Sequence, residues 1–162
     1  MAKPIPDGFN TITTHIVVPD VGKAIEFYKQ ALGAQEKERY TMPDGKGIMH
    51  AELKIGNSVL MLGGEHPPQC LSPKARGGTS VTLNLYVEDA DASFNRAVKA
   101  GCTVRMPMMD QFWGDRYGQV QDPYGHQWAF ATHKQDLSHD QIAENAKAFF
   151  AKMGKEMETA TA

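Results

Sequence analysis

Only two cysteines, Cys70 and Cys102, occur in the 162 residues, and they stand too far apart to form a CxxC pair. A disulfide framework and a zinc ribbon are therefore excluded as organising devices. No charge of one sign accumulates either: 17 basic residues face 19 acidic ones, scattered along the chain rather than gathered in a run. That spread argues against nucleic acid or an anionic membrane as a partner. No apolar run reaches the roughly 18 residues that a membrane-crossing helix needs, and the amino-terminal stretch has no signal-like apolar core. The expectation is a soluble, cytoplasmic protein with free thiols. A nucleophile elbow, a P-loop and a dinucleotide-binding fingerprint are also missing, because Gly77-Gly78 lies in a linker rather than between a strand and a helix.

What the sequence holds instead is one pattern written twice. Ile12, Ile16 and Val18 alternate with Thr13, His15 and Val17, the period of a strand with two different faces. Asp20 stands as N-cap before "VGKAIEFYKQALG", where Ala24, Ile25, Tyr28 and Leu32 have helical spacing and Gly33 is the stop. Strands are predicted in "AQEKERYTM", "GIMHAELKI" and "SVLML", the last two joined by a tight turn at Gly56-Asn57. From Val81 the order repeats: an alternating strand, Asp89 before "ADASFNRAVKAG", then "CTVRMPM", "RYGQVQD" and "HQWAFAT". The reading is an N-terminal segment over 1–10, a βαβββ module over 11–64, a Pro/Gly-rich linker over 65–79, and a second module over 80–134. Residues 135–162 hold an amphipathic helix: Ser138 and Gln141 form a capping box ahead of Ile142, Ala146, Phe149, Phe150, Met153 and Met157. Its apolar face needs a surface, on its own chain or on a second subunit.

The phrases "VVPDVGKAIEFYKQALGA", "MHAELKIGNSVLML", "LYVEDADASFNRAVKAG" and "GDRYGQVQDPYGHQWAFATH" strongly resemble the vicinal oxygen chelate superfamily, and more narrowly its PhnB-like glyoxalase/bleomycin-resistance branch. The resemblance implies an α+β fold, two tandem βαβββ modules forming a cup-shaped mixed sheet with helices on the convex side, plus the C-terminal helix. It also implies a homodimer. Metal-dependent members take four ligands, usually His and Glu, from equivalent strands. Carried over one by one, those positions fall on Thr13, Leu60, Thr82 and Ala129, which are poor ligands for a divalent transition metal. The implied cofactor set is none, with no metal.

That outcome turns attention to His50 and Glu52, which stand two residues apart on one strand face, opposite Met49, Ala51, Leu53 and Ile55. His15 faces the same cavity by parity, and Gln119 and Gln121 are the expected counterparts in the second module. A pocket is expected from Thr13, His15, His50, Glu52, Leu60, Leu62, Thr82, Asn84, Tyr86, Gln121 and Ala129, with Trp113 and Arg116 of "DQFWGDRYG" at its mouth. Trp128 and Phe130 are expected in the core, sharing the parity of Val59 and Met61. His126 and His133, a turn residue and a strand-end residue, are given no catalytic role. The leading expectation is a metal-independent protein that sequesters a small molecule. Its rival is an enzyme of the same superfamily, a lyase, isomerase or dioxygenase. That enzyme would use a displaced metal site of His15, His50 and Glu52, or Glu52 as general base with His50 adjusting its pKa. A third class, an interaction module, would fill the cavity with its own side chains.

Overall fold

The computed structural model of the protein describes residues 2–160, with side chains through residue 154. Each half begins as its pattern dictates. Strand β1 (Thr14–Val18) leads into helix α1 (Val21–Leu32), whose first turn is closed by the Asp20 carboxylate accepting from the Lys23 N–H at 3.0 Å. Gly33 ends the helix at φ 66°, a left-handed conformation that suits glycine. Strands β2 (Gln35–Thr41), β3 (Ile48–Ile55) and β4 (Ser58–Gly64) complete a sheet of order β1-β4-β3-β2, in which only the β1–β4 pairing is parallel. Met157 falls outside the described side chains.

The linker is less loose than its composition suggests, since it contains a bridge between His66 and Cys70 and a four-residue helix, α2 (Pro73–Arg76), capped by Ser72. The second half then repeats the first: β5 (Thr82–Tyr86), α3 (Ala90–Ala100) capped by Asp89 and Gly101, β6 (Thr103–Asp110), β7 (Asp115–Gln121) and β8 (Gln127–His133), in the order β5-β8-β7-β6. Helices α1 and α3 pack on each other, so both sheets turn their helix-covered faces to one side and their bare faces to the other. Between sheets and helices lies a core that includes Ile25, Tyr28, Ala51, Leu53, Leu62, Phe94, Trp128 and Phe130.

The two halves are fastened by the turn "DPYGH". Asp122, buried, accepts from the Tyr28 hydroxyl of α1 at 2.7 Å and from the Trp128 indole N–H at 2.9 Å, while the backbone N–H groups of Tyr124 and His126 reach its other oxygen. Such a buried carboxylate is tolerable because four donors surround it. The ring of His126 donates through Nε2 to the Val17 carbonyl on β1 at 3.0 Å, and Arg96 donates to the Ala31 carbonyl at 3.2 Å. The motif that helps carry the resemblance in the sequence is thus the clasp between the halves.

Parity brings one correction. Leu60 and Leu62, expected in the pocket, lie in the helix-side core, and Val59 and Met61 take the opposite face. The cause is turn length: Ile55 pairs with Ser58 across two residues, whereas Gln121 pairs with Gln127 across 122–126. Counting equal steps from Gly56 and Gly125 therefore lands on opposite faces. Pairing shows the true equivalences, because His15 lies opposite Met61 as Asn84 lies opposite Ala129. By the same route Glu52 corresponds to Gln119, and His50 to Tyr117 rather than to a glutamine. Met49 also departs from expectation: the irregular pairing between Tyr40 and Thr41 leaves it exposed, and Ile48 packs against the core instead. Ile12 precedes β1 and is exposed.

Helix α4 (His139–Ala160) starts at the expected box, with Gln141 accepting from the Ser138 N–H and Ser138 Oγ accepting from the Gln141 N–H. It leans on its own chain at Phe112, whose ring meets Phe149 and Phe150 at 5.6 and 5.8 Å. Phe150 and Met153 stay exposed.

Candidate functional site

The bare faces of the two sheets form one concave surface with two characters. In the first module it carries His15, Met61, Gly63, His50 and Glu52, read from the pairing His15–Met61–Glu52 and from Gly63 opposite His50. The imidazoles of His15 and His50 converge across β4, with ring centroids 5.9 Å apart. Gly63 makes this possible, because a Cβ there would stand 2.8 Å from His15 Nε2. Partial burial and then the neighbouring His50 push the His15 pKa below the ordinary imidazole value. Glu52 does not pair with His50. It accepts from Lys37 Nζ at 3.2 Å, so the expected pair of Glu52 as base and His50 as its neighbour is not assembled.

In the second module the surface is aromatic and lined with amides. An open hollow of about 470 Å³ is lined by Thr82, Asn84, Tyr86, Met106, Trp113, Asp115, Tyr117 and Gln119. Its one carboxylate, Asp115, is only 3 % exposed and accepts from the Tyr86 hydroxyl (2.8 Å), the Trp113 indole (3.0 Å) and His133 Nδ1 (2.8 Å). Burial opposes the Asp115 charge, yet those three bonds outweigh it and hold its pKa below the usual carboxylate value. His133 also reaches Asp136 through Nε2 at 3.0 Å, and these two carboxylates, Asp136 first, raise its pKa. The Asp115 cluster orients the aromatic walls: Trp113 and Tyr117 meet edge to face at 5.7 Å.

Other expected site residues fall elsewhere. Arg116 points to the helix side and pairs with Asp91 of α3 at 2.8 Å, so it is not at the pocket mouth. Gln121 bonds the Gly125 carbonyl beside the turn, and Thr13 lies just before β1 with its hydroxyl on the Asn10 carbonyl. Reading the chain by motif missed the Asp115–His133 bond. The parity of Asp115 with Tyr117, and the strand-end position of His133, carried the only signal.

The fit of a divalent ion at the inherited ligand positions fails on donor chemistry. With Met61 in place of Leu60, the set is Thr13, Met61, Thr82 and Ala129: two hydroxyls already hydrogen-bonded, a thioether and a methyl group. Among the described residues no three His, Cys, Asp or Glu side chains gather as a metal site.

Two βαβββ modules with paired helices outside and an open concave face inside define the vicinal oxygen chelate type of scaffold. The chain belongs to the Glyoxalase/Bleomycin resistance protein/Dioxygenase superfamily, whose family model matches residues 8–130. It is 43% identical over 135 residues to a protein of Mycobacterium tuberculosis, covering 81% of this chain and 79% of the relative. Among solved structures it is similar to TioX from Micromonospora sp. ML1, at 28% identity and a TM-score of 0.62, covering 76% of this chain and 98% of that one. The structure of an Arabidopsis thaliana gene product is similar at 28% identity and a TM-score of 0.61, again over 76% and 98%.

Proposed function

We propose that the protein binds a small molecule in the hollow of its second module, without a metal ion and without transforming it. The observation that carries this reading is the lining of that hollow: flat faces of Tyr86, Trp113 and Tyr117, the amides of Asn84 and Gln119, and no ionised group free to react, since Asp115 is committed to three donors. Its size suits a ligand of a few rings, and the mixture of apolar surface with a few placed polar groups is that of small-molecule sites. The aromatic faces favour a planar compound, held by stacking and oriented by the amides.

The enzymatic alternative has one observation in its favour. The His15 ring meets His50 on the cup side, and partial burial followed by that neighbour lowers its pKa, which favours the neutral form that a general base requires. With Glu52 tied to Lys37, His15 would carry such chemistry without the carboxylate expected beside it. We further propose a cytoplasmic homodimer, supported by the free cysteines and by the exposed Phe150 and Met153 of α4. No described helix is long and apolar enough to cross a membrane.

The test is a thermal-shift screen of planar aromatic and antibiotic-like compounds, with hits measured by titration calorimetry on the wild type and on Trp113→Ala and Asn84→Ala. Loss of one aromatic wall is expected to weaken a hit by about 3- to 10-fold, from a stacking term of about 0.5–1.5 kcal/mol. Hits indifferent to both substitutions would remove the hollow from the argument.

A further inference from the structure

The His15–His50 pair is unexplained by a ligand hollow located in the other module. Neither imidazole has a hydrogen-bond partner among the described residues. They come from strands separated by β4, yet their rings meet across it because the residue between them, Gly63, has no side chain. His15 Nε2 lies over that glycine, 2.8 Å from where a Cβ would stand, and Gly63 lies directly opposite His50. One ring nitrogen is thereby carried along the sheet toward the other ring.

We propose that His15 and His50 form a two-imidazole site for a divalent cation of the copper class. With a metal–nitrogen bond of about 2.0–2.1 Å, each ring centroid lies roughly 3.1 Å from the ion, so two rings on one ion have centroids no farther apart than about 6.2 Å. The observed 5.9 Å falls inside that limit. Imidazole nitrogen suits Cu²⁺, Ni²⁺ and Zn²⁺, and of these Cu²⁺ binds a given nitrogen site most tightly. Among the described residues no third His, Cys, Asp or Glu gathers with the pair, so water would fill the remaining positions of its preferred tetragonal arrangement. The site differs from the inherited ligand set in both of its residues. The inference goes beyond the proposed ligand binding, which needs no cation.

The experiment is calorimetric titration of the untagged, chelator-stripped full chain with Cu²⁺, paired with electron paramagnetic resonance of the one-equivalent complex. The expected result is one tight equivalent with hyperfine coupling to two imidazole nitrogens. His15→Gln and His50→Gln are each expected to lose one coupled nitrogen and at least about tenfold in affinity. Gly63→Ala retains both histidines but puts a methyl group 2.8 Å from the present position of His15 Nε2, forcing that ring aside, and is expected to lose as much. Binding that persists unchanged in the His15→Gln/His50→Gln double variant would assign the metal to other donors and overturn the proposal. If Gly63→Ala fails to fold, the two histidine variants, at solvent-accessible positions, still decide the question.

Discussion

The two halves of this chain share caps, strand order and pairing, and differ in what they display. The first module's concave face carries titratable groups, His15, His50 and Glu52, around the gap at Gly63. The second carries Tyr86, Trp113, Tyr117 and amides, with its only carboxylate buried under three hydrogen bonds. Caps and strand pairing are held constant while the bare face is free to vary, because strand parity separates its side chains from those that meet the helices. This is how one fold carries unrelated ligands.

The same contrast extends to the turns that close each last hairpin, and it makes the largest prediction. Asp122→Ala strips the acceptor from Tyr28, Trp128 and two backbone N–H groups, and is expected to cost about 3–4 kcal/mol in urea unfolding followed by circular dichroism. In the first module's turn, Asn57 meets only Ser58 at the surface, so Asn57→Ala should stay within about 0.5 kcal/mol. Equal effects would mean that the clasp is not where the halves are joined.

The second prediction concerns how each helix sits on its sheet. Ile25 and Phe94 both lie five residues after their capping aspartates, and Ala51 and Gly118 are the equivalent strand positions opposite Leu62 and Phe130. The larger Phe94 takes the room that a missing side chain provides, since a Cβ at Gly118 would meet Met108 Sδ at 2.5 Å and Phe94 at 3.1 Å. Gly118→Ala should therefore destabilise by about 1–3 kcal/mol. Ala51→Gly should cost about 0.5–1 kcal/mol from backbone entropy. A stabilising Gly118→Ala would show that the second helix has slack.

The smallest effects are those of pH, and they have opposite sign in the two modules. Hydrogen bonds from Arg39 and then Lys29 lower the Glu36 pKa to about 2, so its contribution is present above the ordinary carboxylate value of about 4.3 and is lost as pH falls toward 2. His133 has a raised pKa in the folded state. Its contribution is fully present below about pH 6.5 and is lost as pH rises through the raised value. The gap in urea midpoint between wild type and His133→Gln should thus be widest at acid pH and narrow toward alkaline pH. A gap constant from about pH 5.5 to 8.5 would detach His133 from this role.

Most of the fold was legible because caps and periodicity are local. Asp20, Gly33, Asp89, Gly101 and the Ser138–Gln141 box are read directly from neighbouring residues and stand where their types place them. The site was half legible. Strand parity sent His15, His50, Asn84 and Tyr86 to the bare face, but it could not reveal that a two-residue turn and a five-residue turn throw Leu60 and Ala129 to opposite sides. Nor could it show that Arg116 would turn to Asp91, or that Glu52 would prefer Lys37 on a neighbouring strand to His50 on its own. Those are choices between partners distant in sequence, and spacing does not encode them.

The two tryptophans lie in different physical worlds. Trp128 is sealed beside Tyr28 with its indole on Asp122, at the junction of the halves. Trp113 stands half-exposed at the rim, between Phe112, which α4 touches, and Tyr117, which lines the hollow. Indole emission shifts to the red as solvent reaches the ring. The protein therefore contains two optical reporters: a blue one that changes only when the halves come apart, and a redder one that responds to whatever settles in the hollow or moves the last helix.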